Sequence, residues 1–389
     1  MQNFDYSIPT KIFFGKGKIS VIGEEIKKYA TKILIVYGGG SIKRNGIYDK
    51  TVEILKKNNI SFCELSGVEP NPRIESVKKG VNICRENNVE LVLAIGGGST
   101  IDCAKVIAAG YYYDGDAWDI VKDPSKIKKV LPIASILTLA ATGSEMDRFA
   151  VITNMKTNEK LGTAHEDMKP KFSVLDPTYT FTVPKGQTAA GTADIMSHIF
   201  EEYFSGVKGA YVQDKISEGL LKTCIKYGKI AIDDPENYEA RANLMWASSL
   251  AINDLIALGK DRKWCCHPIE HELSAFYDIT HGVGLAILTP NWMEYILNDD
   301  TLYKFVEYGV NVWDIDKNKD KYEIAHEAIN KTREYFDSLG IPSTLKAVGI
   351  GEEKLEIMAN EAIKNAKGSL GSLRPIDADD VLKILKKSL

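Results

Sequence analysis

The sequence predicts an α/β fold for its first half and an all-helical second half. Three short apolar runs rich in β-branched residues, KILIVY (32–37), VELVLAI (89–95) and KKVLPIASI (128–136), alternate with segments of helical periodicity. This alternation is typical of βαβ units and a parallel, Rossmann-like sheet. After Pro184 no convincing strand follows. We therefore predict an α/β domain over residues 1–183 and a helical domain over residues 184–389.

Each predicted element follows from its local pattern. The first two apolar runs are each followed by GGGS and then by a helical pattern, which covers residues 47–59 and 99–112. FSVLDPTYTFTVP (172–184) predicts a last strand that runs into a turn. The helical segments of the second half are 187–205, 211–233, 238–259, 321–339, 352–366 and 377–388.

Composition excludes several classes of protein. The chain has 389 residues, of which 44% are hydrophobic and 26% charged, the ordinary mix of a globular protein. Its net charge of −4 argues against nucleic-acid binding. We find no signal-peptide pattern and no apolar run long enough to span a membrane. The six cysteines form no CxxC pair and indicate reduced thiols. We expect a cytoplasmic protein with no membrane or nucleic-acid partner.

The two GGGS segments, 38–41 and 96–99, indicate a nucleotide site. Glycine lets backbone N–H groups approach a phosphate closely, and a helix N-terminus favours its negative charge. Either segment alone is also compatible with a plain strand-to-helix turn, because neither matches GxGxxG. Two of them in neighbouring βαβ units favour a dinucleotide.

The first glycine turn also bears on the choice of cofactor. NAD sites usually place an acidic residue at a strand end to bind the ribose hydroxyls. YGGGSIKR has no acid there and carries Ser41, Lys43 and Arg44 instead. This favours NADP(H) over NAD(H), although both cations are also compatible with simple solvation.

Histidine and aspartate are concentrated in two helical segments. Asp194 and His198 are four residues apart and share a helix face, and His267 and His271 repeat that spacing. His281 follows ten residues later. A carboxylate with imidazoles suits a divalent ion such as iron(II) or zinc. We expect Asp194, His198 and two of the three later histidines as ligands. Glu201 and Glu202 lie within a turn of His198 and are further candidate ligands, but we interpret them as supporting or solvated residues.

Several motifs together resemble a known family. AIGGGSTIDCAK, LTLAATGSEM, TNEKLG, GTADIMSH and HPIEHELSAFYDITHG, in that order, resemble the iron-containing (group III) metal-dependent alcohol dehydrogenases. The branch of butanol dehydrogenases and NADPH-dependent aldehyde reductases is the most similar. The resemblance extends from about residue 5 to residue 385.

The resemblance implies a dehydroquinate synthase-like architecture, with a dinucleotide-binding α/β domain and an all-helical metal-binding domain. The metal ligands that it implies are Asp194, His198, His267 and His281. It places His271 near the nicotinamide, and all five residues form the expected catalytic set. Gly38 stands where NAD-preferring relatives carry an aspartate. The implied cofactor contacts are Gly38, Gly39, Gly40, Ser41, Asn71, Gly97, Gly98, Ser99, Asp102, Thr138, Thr142 and Lys160. It also implies a homodimer.

The expected function is hydride transfer between NADP(H) and a small primary alcohol or aldehyde of the butanol type. The alternatives are an NAD-dependent polyol dehydrogenase of the glycerol type, a lyase resembling dehydroquinate synthase, and a nucleotide-binding relative without the chemistry. Asp147, Arg148 and Phe149 depart from the family pattern. We expect them to reshape the aldehyde site.

Overall fold

The computed structural model describes all 389 residues, and its main sheet has six parallel strands in the order β1-β8-β5-β4-β2-β3. A separate antiparallel hairpin joins β6 and β7. The strands are β1 Lys11–Phe14, β2 Lys32–Tyr37, β3 Ser61–Leu65, β4 Leu91–Gly96, β5 Ile133–Leu137, β6 Phe149–Asn154, β7 Glu159–Ala164 and β8 Phe172–Leu175. The predicted fold class is confirmed.

Helices connect these strands and make up nearly all of the regular secondary structure after residue 184. In the first half they are α1 Ile22–Lys27, α2 Ser41–Arg44, α3 Ile47–Lys57, α4 Ile74–Asn87, α5 Gly98–Gly110 and α6 Ala117–Lys122. In the second half they are α7 Lys185–Tyr203, α8 Tyr211–Asp233, α9 Tyr238–Ile252, α10 Cys266–Tyr277, α11 His281–Ile296, α12 Leu302–Trp313, α13 Lys321–Ser338, α14 Leu355–Asn365 and α15 Ala378–Lys387. None of them is both long enough and apolar enough to cross a membrane.

The central strands are buried on both faces, which explains why their sequences are continuous apolar runs. Leu34 and Val36 of β2 pack into the core on one face of the sheet, and Ile33 and Ile35 pack into the core on the other. β1 and β3 lie at the two edges and are only partly buried. Their short, mixed sequences gave no strand signal.

The strand order places a topological switch point between β2 and β4. These strands are neighbours, and the chain continues outward from β2 to β3 on one side and from β4 to β5 on the other. In open α/β sheets, ligands bind beyond the carboxyl ends of the strands at such a point. The two GGGS segments follow these two strands, so the fold places both at the expected binding edge.

The chain forms two compact units. One comprises residues 7–183 and 235–249, and the other comprises residues 1–6, 184–234 and 250–389. Most of α9 therefore packs with the sheet although it follows two helices of the other unit. Its Ser248 donates a hydrogen bond to the Ala141 carbonyl at 3.0 Å, and Trp246 lies edge-on to Phe14. The domain boundary at residue 183 stays a prediction.

Candidate active site

Helix α7 carries three ionisable side chains on one face. Asp194, His198 and Glu201 are spaced by four and three residues, which aligns them along the helix. All three are nearly inaccessible to solvent, because α7 is buried over most of its length. The buried carboxylates of this helix need partners, since an unpaired buried charge is costly.

Helices α10 and α11 supply the partners. His267 lies in the first turn of α10, and His281 is the first residue of α11. A Cβ on Gly282 would lie only 1.9 Å from the Ala190 carbonyl oxygen of α7. The absence of a side chain at Gly282 therefore lets the start of α11 approach α7, and with it His281 approaches Asp194.

Three imidazoles converge on one carboxylate oxygen. Asp194 Oδ1 lies 3.4 Å from His198 Nδ1, 3.6 Å from His267 Nε2 and 3.7 Å from His281 Nε2. Ligand atoms of Asp194, His267 and His281 all lie within 4.8 Å of one another. The structure thus brings together the four residues that the resemblance implied as metal ligands, although His198 lies outside that tightest group.

The buried atoms of this cluster fit a cation. Asp194 Oδ1, His198 Nδ1 and His267 Nε2 have no hydrogen-bond partner. Buried polar atoms are almost always paired in folded proteins. A carboxylate with neutral imidazoles is a suitable ligand set for iron(II) or zinc. One divalent ion among these four residues would satisfy all three unpaired atoms.

Two further carboxylates orient the histidines. Glu201 accepts backbone hydrogen bonds from Cys265 at 2.7 Å and His267 at 2.9 Å, and one of its oxygens lies 3.1 Å from His267 Nδ1. Glu270 is fully buried and pairs through one oxygen with His281 Nδ1. Both contacts engage Nδ1 and leave Nε2 directed at Asp194, which is how supporting carboxylates fix imidazole ligands.

The pKa values of Asp194 and its neighbouring histidines reflect their burial and their mutual interactions. Burial opposes ionisation of Asp194, but His198, His267 and His281 outweigh it and hold the Asp194 pKa well below its ordinary value. Burial lowers the pKa of His198 to about 3, so this imidazole is neutral near pH 7. Burial also opposes protonation of His267, yet Asp194 and Glu201 raise its pKa to about 9.

The histidine cluster also includes His271, one turn after His267 on α10. Its ring centroid lies 5.7 Å from that of His281. Ligand atoms of Glu270, His271 and His281 also lie within 4.8 Å of one another. The structure therefore places His271 beside the Asp194 cluster, and its role near the nicotinamide stays a prediction.

In the sheet-containing unit, the second glycine segment opens α5. Gly97 precedes the helix and Gly98 is its first residue. A Cβ on Gly98 would lie 2.3 Å from Thr142 Oγ1, and the Thr138 N–H donates to the Gly96 carbonyl. The turn and the segment after β5 are therefore closely packed, which places Gly97, Gly98, Thr138 and Thr142 together at the binding edge.

The other implied cofactor residues lie around this edge. Asp102 accepts hydrogen bonds from Ser144 Oγ at 2.6 Å and the Val151 N–H at 2.9 Å, so its carboxylate fixes the loop that follows β5. Burial raises the pKa of Asp102, and Lys160, itself buried on β7, offsets only part of this effect. Asn71 adopts a left-handed backbone conformation, and Ser41 is exposed at the start of α2. Their cofactor contacts stay predictions.

The segment that departs from the family pattern is paired within its own unit. Asp147 is buried and forms a 2.7 Å ion pair with buried Lys105. Arg148 pairs with Glu166 and also lies over the Phe149 ring. These contacts give Asp147 and Arg148 a structural role in the sheet-containing unit. Their effect on the aldehyde site stays a prediction.

A switch-point nucleotide fold and a carboxylate–imidazole centre in one chain define a metal-dependent nicotinamide oxidoreductase. Residues 9–177 match the family model described as iron-containing alcohol dehydrogenase, and residues 188–389 match its C-terminal domain. The chain belongs to the iron-containing alcohol dehydrogenase family. It is an alcohol dehydrogenase or aldehyde reductase that uses a nicotinamide cofactor and a divalent metal.

Three relatives show how similar the chain is to known members. It is 79% identical to NADH-dependent butanol dehydrogenase A of Clostridium acetobutylicum, with 100% of both chains covered. It is 38% identical to the NADPH-dependent aldehyde reductase YqhD of Escherichia coli, with 97% of each chain covered. The crystal structure of NADH-dependent butanol dehydrogenase A from Thermotoga maritima matches with a TM-score of 0.95 and 42% identity, covering 100% of this chain and 99% of that one.

Proposed function

We propose that this protein interconverts short primary alcohols and aldehydes of the butanol/butanal type by hydride transfer to and from a nicotinamide cofactor. The convergence of three imidazoles on Asp194 Oδ1, with buried atoms that lack partners, carries the proposal. The name of the Clostridium acetobutylicum relative supports the substrate class.

The four clustered residues would hold the divalent ion. When bound, the ion supplies Lewis-acid polarisation of the substrate oxygen, and the nicotinamide supplies or accepts the hydride. Asp194 contributes the negative charge, and the three imidazoles are neutral donors once their nitrogens face a cation. Glu201 and Glu270 fix two of those rings, so the chain itself sets the geometry at which the substrate oxygen is received.

His271 is a candidate for moving the proton that accompanies hydride transfer. It is only partly buried and lies beside His281, so a proton on it can exchange with solvent. An imidazole can both accept and donate a proton, which suits that task. The alternative is that His271 only positions the nicotinamide ring.

For the cofactor we propose NAD(H) rather than the NADP(H) that the sequence favoured. That prediction depended on the lack of an acid after β2. Two observations support NAD(H): the relative of 79% identity is named NADH-dependent, and a neighbouring strand brings Glu64 to this region. The 38% identical reductase is named NADPH-dependent, and this observation favours NADP(H) instead.

Metal analysis of the freshly purified protein, combined with NADH and NADPH oxidation in the presence of butanal, tests the proposal. We expect about one iron or zinc per chain and butanal-dependent oxidation that a chelator abolishes and added metal restores. Glycerol oxidation serves as the control for the polyol alternative. Metal-free protein that is fully active with butanal would contradict the proposal.

A further inference from the structure

Four side chains form a cluster beside the first glycine turn. Glu64, on β3, accepts hydrogen bonds from Tyr37 Oη at 2.7 Å and from Tyr48 Oη. Lys43 Nζ lies 5.1 Å from the centre of the Tyr37 ring, 4.5 Å from the centre of the Tyr48 ring and 4.0 Å from Glu64 Oε2. We call these four residues the Glu64 cluster.

The Glu64 cluster occupies the edge at which the fold predicts the adenosine end of the dinucleotide. Tyr37 is the last residue of β2, immediately before Gly38, and Lys43 lies in the short helix that follows the turn. β2 and β3 are parallel neighbours, with Ile35 opposite Glu64, so Glu64 lies near the same carboxyl edge. No local sequence pattern reveals this carboxylate, because it comes from a separate strand.

Sterics at Gly38 explain why the acid comes from elsewhere. A Cβ at this position would lie 3.1 Å from the Val68 carbonyl oxygen, a tight contact with backbone. An aspartate directly after β2 would therefore require that backbone to shift. Glu64 provides a carboxylate at this edge without using position 38.

The tyrosines fix both charges of the cluster. Two phenol donors hold the Glu64 carboxylate in place, and the hydrogen bond to Glu64, together with burial, raises the pKa of Tyr48 to about 12, so Tyr48 remains a donor. The hydrogen bond that Lys43 donates to the Tyr37 oxygen, and the nearby carboxylates Glu64 and Asp49, raise the pKa of Lys43, so Lys43 remains a cation. Lys43 thus lies between two aromatic faces and a fixed carboxylate.

We propose that Glu64 is a specificity-determining residue that neutralises Lys43 and disfavours the 2′-phosphate of NADPH, so that the protein selects NADH. This inference rests on the proposed function. A 2′-phosphate carries nearly two negative charges and needs free cations, whereas ribose hydroxyls tolerate a carboxylate. Arg44 is exposed on the same short helix. Because Arg44 remains a cation outside the Glu64 cluster, the preference for NADH over NADPH is graded rather than absolute.

Glu64→Gln tests the proposal in the metal-loaded enzyme. Glutamine keeps the shape and one acceptor oxygen but removes the charge. We expect the ratio of kcat/KM for NADPH to that for NADH to rise by about tenfold, the scale of one unit charge acting near a protein surface. The change in the ratio should come from the NADPH values, because only NADPH carries the 2′-phosphate. Glu53→Gln, at an exposed position of α3, is the matched control and should leave the ratio unchanged.

Binding of 2′,5′-ADP and 5′-ADP, measured by calorimetry, gives a readout independent of turnover. Glu64→Gln should tighten the binding of 2′,5′-ADP but not that of 5′-ADP. The additional change Lys43→Gln should remove this gain in affinity. The proposal is overturned if wild-type protein prefers NADPH, if both nucleotides tighten equally, or if the gain survives without Lys43. Protein that oxidises neither cofactor with butanal would instead refute the proposed function.

Discussion

Gly282 and the Ala190 carbonyl oxygen lie so close that a Cβ on the glycine would be 1.9 Å from that oxygen. This contact joins α11 to α7 next to both His281 and Asp194. We predict that Gly282→Ala displaces the start of α11 and weakens metal binding by at least about tenfold, the cost of disturbing a ligand's support. Competition with a chelator measures the affinity.

The matched control for this change is Gly219→Ala. Gly219 lies within α8, and a Cβ there would meet nothing within 4 Å. Alanine is favoured over glycine in a helix by about 1 kcal/mol, so this variant should be slightly more stable and should bind metal normally. Equal metal affinity in both variants would show that the close approach at Gly282 is not needed.

The carboxylate behind His267 gives a second prediction. Glu201→Gln keeps an acceptor oxygen for only one of the two backbone N–H groups, because these donate to different carboxylate oxygens, and it removes the charge near His267 Nδ1. We expect a loss of metal affinity of about 10- to 100-fold, as for other supporting carboxylates. Glu323→Gln, exposed on α13, should leave the affinity unchanged. Unaltered chelator competition in the Glu201 variant would assign Glu201 a purely structural role.

Substitutions of the two histidines of α10 should have different effects on metal content. His267→Ala removes a nitrogen that lies 3.6 Å from Asp194 Oδ1, so we expect loss of bound metal and of nearly all turnover. His271→Ala should retain stoichiometric metal and lose activity only. Elemental analysis of both proteins provides the comparison. Full metal content with full activity in the His267 variant would refute the ligand assignment.

Glu145 allows a prediction about pH and stability. It is fully buried and accepts a hydrogen bond from Ser249 at 2.5 Å, and burial raises its pKa. The folded state therefore retains a proton that the unfolded state loses, so wild-type stability falls as pH rises above the ordinary glutamate pKa of about 4.3. Glu145→Gln lacks this effect.

Urea unfolding at several pH values measures the difference. The stability of Glu145→Gln relative to wild type should rise as the pH increases above about 4.3. Glu53→Gln, whose side chain is exposed, should follow the wild-type pH dependence. Parallel curves for wild type and the Glu145 variant would contradict a raised pKa.

The sequence predicted the buried part of the fold better than its edges. The run at 32–37 is strand β2 and residues 91–95 of the second run lie in β4, because both faces of these strands are covered, which requires continuous apolar residues. Strand β5 begins only at Ile133, and Pro132, which has no N–H to donate, contributes just its carbonyl, which accepts from the Val92 N–H at 2.9 Å. Strands β1 and β3 and the hairpin β6–β7 carried no such signal.

The clustering of the candidate metal ligands was only partly predictable from the sequence. Asp194 and His198 share one helix face by spacing alone, but bringing them to His267 and His281 depends on how α7, α10 and α11 pack. The supporting role of Glu270 was missed, although its position three residues after His267 is a usable signal. Glu64 could not have been found in this way, because its partners Tyr37 and Lys43 come from other elements.

The return of α9 to the sheet has a practical consequence for dissecting this protein. Ser248 and Ser249 supply hydrogen-bond donors to Ala141 and Glu145, yet they lie more than a hundred residues downstream in the chain. A fragment ending at residue 183 would leave that carbonyl and that carboxyl group without their donors. We expect such a fragment to aggregate or to unfold more readily, and supplying a peptide of residues 235–249 in trans should partly rescue it.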